Sequence, residues 1–262
     1  MAPSPHFRPQ HVVDDALRLS DEGVLDRNNA AIQGVAIKTI RRWRREYQRR
    51  GNPRGQSHTS VSCPRCGDGC LNREAYSELL GWYLGDGHIS LGRRGVYALH
   101  IFNDARYPTN NEAILELLRK VKPGGRPHTR SAHGCVTHTM GWKHWPCLFP
   151  QHGPGRKHLR RIVLEPWQRD IGTERPDHLL RGLFHSDGCR ITNWTVRPLR
   201  DGPKRYEYAR YFFSNESTDI MSICTSALDQ LGIDWRMPRA NLLSVARRDA
   251  VASLDLYVGR KS

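Results

Sequence analysis

Two nine-residue stretches decide the fold: Leu79-Leu-Gly-Trp-Tyr-Leu-Gly-Asp-Gly87 and Leu180-Arg-Gly-Leu-Phe-His-Ser-Asp-Gly188. Each reads as an apolar helix whose C-terminal end delivers an aspartate followed by glycine. Asp86 and Asp187 lie 101 positions apart, and what surrounds them recurs in the same order. The strand-like run His100-Ile-Phe-Asn-Asp precedes a helical segment from Asn111 to Val121. The strand-like run Arg210-Tyr-Phe-Phe-Ser-Asn precedes a helical segment from Ser217 to Leu231. Each half closes on the same tripeptide, Gly155-Arg-Lys157 and Gly259-Arg-Lys261, with the lysines 104 positions apart. Features repeated in register at one period indicate a duplicated structural unit.

The whole chain has 262 residues, and 41 Lys and Arg against 26 Asp and Glu give a net charge of +15. A field of that sign favours polyanionic partners, nucleic acid or anionic lipid. No window approaches eighteen apolar residues, so a membrane span is excluded on this reading. The first ten residues lack the apolar core of a signal peptide. Seven cysteines without an export signal suit reduced thiols and metal ligands better than a disulfide framework.

The charge has a layout. Residues 1–71 carry +5 and the remainder +10. From Lys38 to Arg54 there are eight basic residues and one acid, Glu46. Around them the chain reads as three helices, over Val13–Leu19, Asn28–Gln33 and Val35–Arg49, with Gly34 at a tight turn between the last two. Ala36, Ile40, Trp43 and Tyr47 follow the helical period, which leaves Lys38, Arg41, Arg42, Arg44 and Arg45 facing outward. Two helices joined by a glycine-containing turn, the second one basic, form the helix-turn-helix arrangement of DNA-binding domains. A merely solvated basic helix is the alternative.

After Gly51 a Gly-, Pro- and Ser-containing linker leads to His58 and then to Cys63-Pro-Arg-Cys66 and Cys70. A Cys-x2-Cys turn sets two thiolates on one side, as tetrahedral zinc requires, with Cys70 and His58 as candidates for the remaining ligands. Two small buried thiols, or a distant fourth ligand, are equally compatible with this pattern. A second group of ligand-type residues, His144, Cys147, His152 and His158, fits no familiar zinc spacing.

The paired segments resemble the two motifs of single-chain LAGLIDADG homing endonucleases, over about 190 residues from Glu74 onward. With its preface, the chain resembles an actinobacterial group of helix-turn-helix proteins with LAGLIDADG-type regions. The resemblance implies an α+β fold: a helix-turn-helix at 1–51, a linker with a possible zinc knuckle at 52–72, and αββαββα repeats at 73–171 and 172–262. The repeats would be related by a pseudo-twofold axis, with antiparallel sheets forming a saddle over DNA. Gly81 and Gly85 share one helical face, as do Gly182 and Ser186, so the two motif helices can approach closely and bring the aspartates together.

Asp86 and Asp187 are then expected to bind Mg²⁺, two or three ions at the interface of the motif helices. Lys157 and Lys261 are expected beside the scissile phosphates. Where many members carry an acid two places before the aspartate, this chain has Leu84 and His185. Strand residues expected to contact DNA include Asn103, Arg106, Asn215 and Arg247, with His100, His138, Lys143, Arg197, Arg200, Lys204, Arg205 and Arg210 as further candidates. The expected protein is a free-standing monomer, cytoplasmic and nucleoid-associated, that cleaves double-stranded DNA. A transcriptional regulator that has kept the fold and lost cleavage is the alternative.

Overall fold

The structure is a computed structural model and describes residues 10–50, 63–67, 69–92, 95–200, 202–259 and 261. The chain divides into two compact units, residues 1–70 and 71–262. Among the described residues no helix is long and apolar enough to cross a membrane.

The first unit is a cluster of three helices, α1 (Gln10–Asp21), α2 (Asp26–Ile32) and α3 (Ile37–Arg50). Val13, Ala16, Leu17, Ala30, Ile40 and Trp43 form its core. Asn29 ties α2 to α1 through donated hydrogen bonds to Ala16 O (2.7 Å) and Ser20 Oγ (3.0 Å). The α2–α3 turn is closed by Gly34 at φ +59°, a conformation that costs a residue with a Cβ. Asp26, in the first turn of α2, pairs with Arg44 (2.7 Å) and Arg41 (3.2 Å). The Arg44 hydrogen bond is the main cause that holds its carboxyl below the usual range.

The second unit contains the same succession twice. The first half runs α4 (Arg73–Leu84), β1 (Gly87–Leu91), β2 (Tyr97–Asp104), α5 (Pro108–Val121), β3 (His128–Ala132), β4 (Cys135–Trp142) and the short α6 (Trp145–Leu148). After a connecting helix, α7 (Pro166–Glu174), the second half runs α8 (Pro176–Asp187), β5 (Gly188–Leu199), β6 (Gly202–Ser214), α9 (Thr218–Gln230), β7 (Arg236–Arg239), β8 (Leu242–Val245) and α10 (Arg248–Tyr257). The strand orders are β1-β2-β4-β3 and β5-β6-β8-β7, all neighbours antiparallel. This is the αββαββα duplication expected from the two motifs.

Alternation along the strands gives each sheet two faces. In the first sheet Ile89, Leu99, Ile101, Val136 and Met140 are buried against the helices, and His88, His100, Phe102, Thr137 and Arg130 occupy the opposite, open face. Aromatic mass fills the core, as Trp82, Tyr76, Tyr83, Trp145 and Phe149 are fully buried in the first half and Phe184, Tyr211 and Phe213 in the second. Two of the buried polar ends are tied down: Trp145 Nε1 donates to Met140 O at 2.7 Å, and Gln168 Nε2 donates to Tyr76 Oη at 2.7 Å.

The centre of the unit is the contact between α4 and α8. A Cβ added to Gly81 would stand 2.5 Å from Leu179 O and 2.7 Å from Leu183 N, and one added to Gly182 would collide with Glu78 O and Gly81 Cα. The two helices therefore touch backbone to backbone. Gly182→Ala is expected to cost about 3 kcal/mol, because the obstacle is main chain and cannot change rotamer. A midpoint of urea unfolding close to that of the wild type would contradict this contact.

Candidate active site

Asp86 follows the last turn of α4, and Asp187 is the last residue of α8, so the paired helices deliver both carboxylates to the same end of their contact. Gly85 faces Ser186 across the pair, and a Cβ on Gly85 would lie 3.0 Å from Asp187 Oδ2. The Asp187 carboxylate thus sits opposite the residue that precedes Asp86. Burial raises the pKa of Asp86 above the ordinary carboxylate range. Burial first and the charge of Asp86 second push Asp187 up to about 6, against the opposing hydrogen bond from Asn215. That bond runs from Asn215 Nδ2 to Asp187 Oδ2 at 2.6 Å, while Asn215 Oδ1 accepts from Ser217 N at 2.8 Å.

The two repeated Gly-Arg-Lys tripeptides arrive at the same place. Gly155 (φ +79°) and Gly259 (φ +72°) both take the left-handed conformation two residues before their lysine. Lys157 Nζ donates to the carbonyls of Tyr83 (2.5 Å), Leu84 (2.8 Å) and Gly85 (2.6 Å), at the open C-terminal end of α4. Carbonyls there lack helical partners and attract cations. Lys261 Nζ donates to Ser186 O at 3.0 Å. Burial lowers the pKa of both lysines, that of Lys157 to about 8, and the two aspartates oppose the shift. An open concavity beside the pair is lined by Gly85, Lys157, His158, Asp187, Asn215 and Glu216.

This donor set suits a hard cation. Two carboxylates converge with main-chain oxygens, and the ammonium groups of Lys157 and Lys261 are already lodged among those oxygens. The positions two before each aspartate belong to the packing. Leu84 is fully buried, and His185 lies against Trp82 with its pKa driven down to about 4 by burial.

Other sequence-selected residues fall in different places. Asn103 is buried on the helix-facing side of β2, where Nδ2 donates to Asn111 Oδ1 at 3.1 Å. His138 is buried on the same side and bonds Asn111 Oδ1 at 2.8 Å. His100 occupies the open face between Ser90 and Thr139, each at 2.9 Å. Arg106 is exposed but paired with Asp104 (2.6 Å), and Arg247 is paired with Asp234 (2.7 Å). In the first unit Lys38, Arg42 and Arg45 are exposed on α3, as are Arg41 and Arg44, which the Asp26 carboxylate draws toward α2.

All seven cysteines are thiols. In the first unit Cys63 and Cys66 flank one turn, closed by Gly67 N donating to Cys63 O at 2.9 Å, with their sulfurs within 4.8 Å of each other. Cys70 is exposed, and His58 lies outside the described residues. In the second unit His144 and Cys147 form a similar pair on the first turn of α6, Nδ1 to Sγ 3.8 Å. The sequence pattern flagged His144 and Cys147 as ligand types, but their pairing depends on α6, which spacing alone does not reveal.

No family model and no curated protein matches the sequence. Among solved structures, the chain is similar to I-DmoI in complex with DNA and Ca (14% identity over 71% of this chain and 89% of that one, TM-score 0.44). It is also similar to the I-SmaMI LAGLIDADG homing endonuclease bound to cleaved DNA (12%, 74% and 85%, TM-score 0.45). A third similar structure is the N-terminal LAGLIDADG domain of DUF199/WhiA (14%, 77% and 87%, TM-score 0.43).

A carboxyl whose folded pKa lies above its unfolded value stabilises the fold while protonated, and that contribution is lost as pH rises through the folded pKa, here about 6. In the presence of a chelator, Asp187→Asn is therefore expected to raise the melting temperature at pH 7.5 and to approach the wild type near pH 4. The gain at pH 7.5 is on the order of 1–3 kcal/mol. Equal melting temperatures at pH 7.5 would show that Asp187 is not under this electrostatic strain.

Proposed function

We propose that the second unit is a metal-dependent endonuclease of LAGLIDADG type, acting on double-stranded DNA. The observation that carries this reading is the convergence of Asp86 and Asp187 at the ends of two helices in backbone contact, with a lysine ammonium beside each. Asp86 and Asp187 are the residues that would hold the cations, together with main-chain oxygens at the helix ends. Divalent cations supply Lewis-acid stabilisation of the attacking and leaving oxygens of a phosphodiester. Lys157 and Lys261 place positive charge where negative charge grows on the phosphate. With its pKa near 8, Lys157 can also hold or give up a proton close to neutral pH. Asn215 fixes the rotamer of Asp187. The three-helix unit, read as a helix-turn-helix, adds affinity for flanking duplex through Lys38, Arg42 and Arg45, with Arg41 and Arg44 beside them.

One observation favours a second reading, a DNA-binding regulator without cleavage. The carbonyls of Tyr83, Leu84 and Gly85 are already occupied by Lys157, so the neutralising charge beside Asp86 is built into the chain. A duplex selected from a random library separates the two. The nuclease reading expects double-strand breaks with Mg²⁺, none with a chelator, and loss of at least a hundredfold in rate for Asp86→Asn or Asp187→Asn with binding retained. Tight binding with no metal-dependent breaks, unchanged in both variants, assigns the regulator instead.

For the first unit we propose a zinc knuckle at Cys63 and Cys66, whose turn presents two of the four ligands that a structural zinc site needs. Metal analysis of the purified chain is expected to give about one zinc per molecule, lost in Cys63→Ser/Cys66→Ser. Parallel Cys70→Ser and His58→Ala variants test the two further candidate ligands. Absence of zinc from the wild type removes the proposal.

A further inference from the structure

The two halves of the second unit differ most in their first hairpin. β1 and β2 pair over five positions, Gly87 to Leu91, whereas β5 and β6 pair over twelve, Gly188 to Leu199. β8 pairs with β6 only at Tyr211–Ser214, and Arg210 Nε reaches β8 through Ser244 Oγ (2.7 Å), so Gly202–Ala209 is paired with β5 alone. Among the described residues from Cys189 to Arg210, not one is buried. A bare two-stranded ribbon of this length is marginal in water, and its open edges invite pairing.

Its side chains are not those of an inert arm. Asn193, Thr195, Arg197, Lys204, Tyr206 and Tyr208 continue the open face of the second sheet. On the reverse face, where the helices no longer reach, Trp194 is 56% exposed and the Arg205 guanidinium lies 4.9 Å from its ring centroid. Arg197 and Lys204 both lie over the Tyr206 ring, at 5.8 and 5.6 Å. Residues 189–210 carry six basic and two acidic side chains. Arg205 also pairs with Glu207 (2.7 Å) and Arg190 with Asp255 (2.7 Å), and the remaining excess of cations interleaved with exposed aromatics fits a polyanion with flat stacking surfaces and phosphates. The open face of the first sheet, with His88, His100, Thr137, Thr139 and the single arginine Arg130, carries less charge among the described residues.

Resting on the DNA reading above, we propose that the β5–β6 ribbon is a one-sided DNA arm: it follows the major groove outward from the second half and lengthens the contacted duplex at that end alone. A two-stranded ribbon is of the size that groove admits. Seven further residue pairs at about 3.3 Å each are equivalent to about seven base pairs along the axis, fewer if the ribbon tilts with the groove.

The test uses the full chain, a duplex selected from a randomised library with Ca²⁺ present, and hydroxyl-radical footprinting. Trp194→Ala/Arg205→Ala and Arg197→Ala/Tyr206→Ala are expected to withdraw protection by about three to seven base pairs at one end of the footprint, leaving the other end unchanged. His100→Ala/Arg130→Ala, on the first sheet, is expected to affect the opposite end. All altered residues are surface-directed, and an unchanged melting temperature confirms folding in each variant. A footprint that keeps both ends in the ribbon variants overturns the one-sided arm while the DNA reading stands. Failure to select any duplex overturns the DNA reading, and the arm with it.

Discussion

The second unit depends on one contact, the meeting of α4 and α8 at Gly81 and Gly182. Everything at the candidate site is placed by how far apart those two backbones lie. With a side chain at either glycine the helices would separate, and Asp86 and Asp187 would separate with them. The contact also accounts for the electrostatic tension of the site. Burial raises the proton affinity of both acids and the charge of Asp86 raises that of Asp187 further, and the fold tolerates this because apolar surface along the rest of the helix pair outweighs it. Strain of this kind is characteristic of a site that expects a counter-charge.

Lysine supplies part of that counter-charge, and it does so unequally. Lys157 is gripped by three carbonyls and lies 5.2 Å from the Tyr83 ring, whereas Lys261 makes one such bond. Asp187 has Asn215 as an anchor. The position that matches Asn215, two residues past the strand partner of the glycine after each aspartate (Ile101 for Gly87, Phe213 for Gly188), is Asn103, which is turned instead into the Asn111 and His138 network. A duplicated fold has therefore kept its skeleton and altered its details.

The skeleton was legible because several weak signals agreed. Small residues four apart, an Asp-Gly ending, a strand and helix in the same order and a closing Gly-Arg-Lys each recur at one period. The strand faces were not legible. A shift of one residue moves a side chain across the sheet, and nothing local told His100, on the open face, from His138, beneath it. Nor could a linear pattern show that Arg41 and Arg44 would meet an acid fifteen and eighteen residues earlier. The long ribbon did leave a trace. Leu199-Arg-Asp-Gly-Pro203 is a turn signature, and the strand-like runs on both sides of it are longer than those of the first half.

Because Gly81 and Gly182 have no side chains, the distance between the two carboxylates is fixed by main-chain geometry, which varies little with the residues around it. The helix pair acts as a ruler for the two carboxylates, and, on the nuclease reading proposed above, it would set the stagger between two cuts. The sheets on either side are then free to drift in length, charge and pairing without disturbing that measure. Such a division makes each half a replaceable part: any half that presents the same glycine-faced helix meets the geometric condition for joining the other.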